Sequence, residues 1–205
     1  MNNKTNDMVK TMLKLGFSLS IFVAISCIGL AFVYSSTKDM IAEHATNRLM
    51  RSLDELFPGA DFEPIEGGIA NPHPESGIVF ERAFAAKQNG STIGAVMEVS
   101  TPSYSGRITL LVGTGTDARI SRILILSNPD TPGLGSHAGN SSYFVDRSRG
   151  LTFYGQFTGK YIGDPFEMRQ DIAVITASTI TSRFVSDAVR AAGKAAFDWL
   201  MFGGM

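Results

Sequence analysis

Residues 15–34, LGFSLSIFVAISCIGLAFVY, carry no charged side chain. A helix rises about 1.5 Å per residue, so a stretch of this length crosses the roughly 30 Å hydrocarbon core of a bilayer. It is predicted to be a transmembrane helix in contact with the lipid bilayer. Lys4, Lys10 and Lys14 precede it against the single acid Asp7. The positive-inside rule then puts the tail, residues 1–14, in the cytoplasm and everything after Tyr34 outside. A cleaved signal peptide is the main competitor. The apolar run is longer than a usual signal core, and no small-x-small site closes it. Cys27 is followed by the apolar residues 28–34, where a lipoprotein turns polar. It is therefore read as a small membrane-buried residue, and the segment as an uncleaved anchor.

The 205 residues leave room beyond the anchor for one core of ordinary size. A net charge of −1 with 18% charged residues provides no basic field, which excludes nucleic acid as a partner. One cysteine makes neither a disulfide framework nor a thiolate cluster. His44, His73 and His137 share no ligand spacing, so no metal site is expected.

Along residues 39–57, Ile41, Ala45, Leu49, Leu53 and Leu56 recur at helical spacing, and Pro58-Gly59 ends the pattern. Residues 35–61 are thus a juxtamembrane helical segment, and 62–205 a separate domain. Residues 65–76 read as a loop. The period then changes. Residues 77–86 and 92–99 flank Asn89-Gly90, a hairpin signal. Residues 107–112 and 120–126 form a second strand pair, and the wholly apolar Ile123-Leu124-Ile125-Leu126 is expected at the sheet centre. The glycines between 106 and 115 precede neither Lys-Ser/Thr nor a helix, so they mark turns rather than a phosphate loop. Tyr143, Phe144, Phe153, Tyr154 and Phe157 fall at irregular spacing, which favours core over a stacking site. A helix over 183–201 shows one broad apolar face, with Phe184, Val185, Ala188, Val189, Ala192, Ala196 and Trp199 on it. The pattern is that of an α+β domain, an antiparallel sheet with packed helices, behind an N-terminal transmembrane helix.

Two loops stand out. In Thr131-Pro132-Gly133-Leu134-Gly135 an apolar side chain sits between glycines directly after a buried strand. Loops so placed carry binding residues more often than strands do. Residues 176–182, TASTITS, follow the apolar run 172–175 and lead into the last helix. On their own they are expected to cap that helix. A helix start also favours bound phosphate.

Five segments, in order, resemble the FMN-binding domain family, as found in RnfG, the G-subunit of Rnf-type electron-transport complexes, and in the related C-subunit of the sodium-translocating NADH:quinone reductase. They are Leu56-Phe57-Pro58-Gly59-Ala60-Asp61, Tyr104-Ser105-Gly106 with the strand to Val112, Thr131 to Gly135, Gln156-Phe157-Thr158-Gly159-Lys160, and Thr176 to Ser182. The resemblance implies FMN joined through its phosphate, as a phosphoester, to Thr179. Thr176, Ser178, Ile180 and Thr181 would then lie around the phosphate, with Thr131, Gly133, Leu134 and Gly135 at the ring. It implies an extracytoplasmic flavin transferase that moves FMN from FAD during maturation. It also implies membrane and peripheral subunits of an Rnf complex as partners, in a bacterial or archaeal cytoplasmic membrane. The chain would relay electrons between reduced ferredoxin and NAD in an ion-translocating enzyme, without catalytic residues of its own.

The sequence departs from the family pattern at several positions. Ala173 stands where the family has Asp, Ala177 where it has Gly, Ser178 where it has Ala, Asp130 where it has Glu, and Ser103 where it has Gly. Alanine at 177 is tolerated where that residue avoids positive φ. The alternatives are the C-subunit of the quinone reductase and an anchored FMN-binding sensory or structural module without the covalent link. A chain of 205 residues is expected of the electron-transport subunit, since regulators of this type carry further domains.

Overall fold

The computed structural model of the chain describes residues 2–71 and 73–203, without the side chains of 2–9, 39 and 41–45. Two compact units result, Met1–Leu49 and Met50–Met205. Helix α1 runs Asn2–Leu56, so the anchor and the juxtamembrane helix are one continuous element. Its segment Lys10–Lys38 has mean hydropathy 2.3 and is long and apolar enough to cross a membrane. Every large apolar side chain there is exposed, as one solvated by lipid would be. Of the apolar face expected beyond it, the side chains of Ile41 and Ala45 lie outside those described.

In the second unit, strands β1 (Asp61–Pro64), β2 (Val79–Gln88), β3 (Ser91–Pro102), β4 (Arg107–Gly115) and β5 (Ile120–Ser127) form a five-stranded antiparallel sheet in sequence order. The predicted hairpin is present. Asn89 (φ 51°) and Gly90 (φ 79°) both adopt the left-handed conformation that matches strand twist in a two-residue turn. Strands β6 (Phe144–Asp146) and β7 (Leu151–Thr152) make a small separate hairpin. Helix α2 (Thr179–Phe202) packs across β3 and β4.

The sheet is covered on both faces, which is why β3 is buried from Gly94 through Thr101. Ala95, Met97 and Val99 meet the α2 face, where Val185, Ala188, Val189 and Ala192 are fully buried. The opposite face carries Val96 and Leu111, and the end of α1 lies over it with Leu53, Leu56 and Phe57. Phe57 approaches so closely that a Cβ on Gly94 would lie 2.5 Å from its ring. The aromatic residues behave as expected for core: Phe153 and Phe157 are fully buried and pack edge to face at 5.6 Å. Phe144 is the exception and is exposed.

Three points differ from expectation. β5 is an edge strand, not central. Its outer edge is nevertheless not bare: the segment 154–160 pairs with it. The Ile125 N–H donates to the Tyr154 hydroxyl oxygen (3.1 Å), the Ile120 N–H to the Lys160 carbonyl (2.9 Å), and the Gly159 N–H back to Ile120 (2.7 Å). Burial pushes the Tyr154 phenol up to about 12, so it stays neutral in that role. Second, β1 had no signal, because its four residues include Asp61, Glu63 and Pro64, which suit an edge rather than an alternating strand. Third, α2 starts at Thr179 rather than Arg183. The β-branched run Thr179-Ile180-Thr181 lowers intrinsic helicity and disguised that first turn.

Candidate functional site

The segment that leads to α2 is held from behind by side chains on the covering strap. Gln156 grips residue 173 at both backbone groups: the Ala173 N–H donates to Oε1 (2.8 Å) and Nε2 donates to the Ala173 carbonyl (3.2 Å). Lys160 pairs with Asp171 at 2.7 Å, and the Asp171 carboxylate also accepts the N–H groups of Phe166 (3.0 Å) and Glu167 (2.6 Å). Burial raises the Asp171 pKa, but these hydrogen bonds outweigh it and leave the carboxyl below its ordinary range. Asp171 is thus spent on this clamp and does not stand in for the acid missing at 173. Ile172 and Ile175 are buried and tether the strand-like approach.

At the helix start the hydroxyls do not cap. Ser178 is the N-cap residue, yet its side chain makes no capping bond. Ser182 Oγ accepts the Ile175 N–H (3.0 Å) and donates to the Ser178 carbonyl (2.9 Å). Thr181 is fully buried and donates its hydroxyl to Asp130 Oδ2 at 2.6 Å. The first helical bond runs from Ser182 N to Ser178 O. The N–H groups of Thr179, Ile180 and Thr181 therefore have no partner among the described residues, and the capping expectation is replaced by an open helix N-terminus.

These groups border a cleft of about 450 Å³, within the ordinary range for small-molecule sites. One wall is Ala177, Ser178, Thr179, Ile180 and Thr181; the other is Asp130, Thr131, Leu134 and Gly135, with Tyr104 alongside. Apolar side chains reach the opening: Tyr104 is 74%, Ile180 52% and Leu134 43% exposed. On the helix wall Thr179 is the hydroxyl both exposed and unengaged, since Ser178 is buried and Thr181 is bonded to Asp130. Among the described residues no cluster of His, Cys, Asp or Glu could hold a metal ion.

The structure sorts the predicted site residues. Thr131, Leu134, Gly135, Ser178, Thr179, Ile180 and Thr181 converge on the cleft, while Thr176 and Gly133 do not line it. Gly133 (φ 84°) shapes the turn instead; its N–H donates to Ser136 Oγ at 3.1 Å. Gly135 meets a different need. A Cβ there would fall on the Asp130 carboxylate, so the two glycines flanking Leu134 are not equivalent. Asp130 and Tyr104 were missed as lining residues. Their place depends on contacts between the turn after β3, the loop after β5 and α2, which no local pattern encodes. Asp130 is 5% exposed. Burial raises its pKa, but hydrogen bonds from Thr181, Ser105 and Ser103 prevail and hold the carboxyl below its usual range.

Ala177 has φ 59°, the left-handed region in which a side chain is strained. The condition under which alanine is harmless is not met. Ala177→Gly is expected to raise unfolding stability by about 1 kcal/mol, read as a higher urea midpoint at unchanged slope. No gain would mean that the turn is not left-handed in solution.

Comparison with known proteins gives a consistent pattern. Residues 103–194 match the FMN-binding domain family, and residues 1–56 match the RnfG N-terminal region. The chain is 31% identical over 198 residues to the G-subunit of the Na⁺-translocating ferredoxin:NAD⁺ oxidoreductase complex of Acetobacterium woodii, covering 88% of this chain and 89% of that one. It is 30% identical over 199 residues to the G-subunit of the ion-translocating oxidoreductase complex of Escherichia coli K12, covering 91% of each. The corresponding protein of Photorhabdus laumondii is 28% identical over 194 residues, covering 89% of each.

Proposed function

We propose that this chain, which belongs to the RnfG family of ion-translocating oxidoreductase complexes, is the membrane-anchored flavoprotein of such a complex and carries FMN on Thr179. The relatives are named as G-subunits, which favours this reading over the C-subunit of the quinone reductase. The observation that carries the reading is the exposed Thr179 hydroxyl beside the unpartnered N–H groups of Thr179, Ile180 and Thr181. A helix N-terminus with free donors suits a phosphate, and a phosphoester needs only a hydroxyl from the protein.

The residues present fit FMN. The donors at the start of α2 would hold its phosphate, while Leu134, Ile180 and Tyr104 offer apolar surface for its ring. When bound, FMN supplies reversible electron transfer, and the chain's part is to place it and exclude water from one side. Maturation by a flavin transferase would join Thr179 Oγ1 to the FMN phosphate of FAD, break the pyrophosphate bond, release AMP and return the threonine proton to solvent. That enzyme and the lysine-biased tail both favour a domain on the extracytoplasmic side, with residues 1–14 inside and 62–205 as the flavin domain.

The test is extraction of the tagged full-length chain from native membranes in mild detergent. Multi-spanning and peripheral subunits are expected to co-purify with it, together with ferredoxin-dependent NAD reduction. Protease added outside sealed cells is expected to cut the chain after residue 38. A chain recovered alone and without that activity would contradict the relay reading and favour an isolated FMN-binding module.

A further inference from the structure

We propose that Asp130 is the positioning residue of the cleft, setting the separation of its two walls before any flavin arrives. The inference rests on the reading of this cleft as an FMN site. The Asp130 carboxylate joins three separate pieces of chain. Its Oδ2 accepts the Thr181 hydroxyl at 2.6 Å, from the first turn of α2. Its Oδ1 accepts the Ser103 hydroxyl at 2.8 Å and the Ser105 N–H at 2.9 Å, both from the turn between β3 and β4. Its own N–H donates to Asn128 Oδ1 (3.0 Å), and Asn128 Nδ2 donates to the Gly135 carbonyl (2.9 Å), which closes the loop from behind. Gly135 leaves the space that the carboxylate fills.

All these donors are neutral, and no lysine or arginine pairs with Asp130 among the described residues. The group is therefore a nearly buried negative charge at the positive end of α2, where the helix dipole stabilises it. Hydrogen bonds to an ionised acceptor are the strong kind, so losing one frees a wall of the cleft. A fixed negative charge in the wall also opposes the addition of electrons to whatever the cleft holds, a property that a merely structural contact lacks.

The test uses the full-length chain in detergent, made with and without the flavin transferase, as wild type and as Asp130→Asn, Asp130→Ala, Asp130→Glu and Thr181→Val. In the flavin-free protein, amide hydrogen exchange over residues 131–136 is expected to be at least about tenfold faster in Asp130→Ala and in Thr181→Val, with β2 and β3 unchanged. In the flavin-loaded protein, Asp130→Asn is expected to raise the midpoint potential. Asp130→Glu, which keeps the charge, is expected to hold it near the wild-type value. Wild-type exchange in both Asp130→Ala and Thr181→Val, or a potential unmoved by Asp130→Asn, overturns the proposal. Thr181→Val keeps the exchange test open if Asp130→Ala does not fold. A wild-type chain that acquires no flavin defeats the FMN reading instead, and the exchange contrast still decides whether Asp130 positions the walls.

Discussion

Thr179→Ala is expected to remove all flavin that survives denaturation, leaving a chain without fluorescence in a denaturing gel. The loss is expected to be complete because no other hydroxyl on the helix wall can take Thr179's place. Ser182 and Thr181 are committed to internal hydrogen bonds, Ser178 is buried, and Thr176 lies off the cleft. The substitution itself is mild. Thr179 is exposed at the first position of α2, and alanine is a good helix former, so stability should change by no more than about 0.5 kcal/mol. A folded, membrane-inserted, non-fluorescent Thr179→Ala chain therefore reports on attachment rather than on folding. Thr176→Ala is the matched control and should keep its flavin. Fluorescence retained by Thr179→Ala would move the bond elsewhere.

Gly135→Ala is expected to cost about 3 kcal/mol of unfolding stability and to impair flavin loading. The three atoms nearest an added Cβ all belong to Asp130, with Cγ at 2.7 Å and Cβ at 2.8 Å. Overpacking alone costs roughly 1–3 kcal/mol, and displacing the carboxylate also strands the buried Thr181 hydroxyl, at about 1–3 kcal/mol. Gly133→Ala makes the contrast. Residue 133 has φ 84° but open space around it, so the backbone strain of about 1–2 kcal/mol is the whole expected effect. Urea midpoints of the two variants should therefore separate clearly, with Gly135→Ala the lower. Equal midpoints would mean that the Asp130 anchor does not exist in solution.

Where local chemistry decides structure, the sequence was readable. The uncharged run 15–34 lies within α1, the Asn89-Gly90 hairpin formed as expected, and the apolar face Val185–Ala196 is the one that packs on the sheet. Where distant parts decide, it was not. β5 reads as central because its run 123–126 is wholly apolar, and nothing local says that Tyr154 and Lys160 pair with its outer edge. The site divides in the same way. The Thr131–Gly135 loop and the hydroxyls at 176–182 could be picked out as segments, and the resemblance pointed to Thr179. Which hydroxyl stays free depends on α2 beginning four residues early, so that Thr181 and Ser182 turn inward. Asp130 appeared as a conservative departure from a motif; its role emerges only when Ser103, Ser105 and Thr181 are brought to it.

Those departures give the attachment itself the most to prove. Ala173 and Ala177 both lie in the stretch a transferase would read, and Ala177 is held in a conformation that glycine adopts more easily. Against this, the backbone at 173 is fixed from behind by Gln156, and the open helix N-terminus is in place. Intact-mass analysis of the chain purified from its native membrane, followed by peptide mapping, tests the central claim most directly. The account predicts a chain heavier by one FMN less one water, with the added mass on the peptide that contains Thr179. A chain of unmodified mass, or the flavin on any other residue, would contradict it.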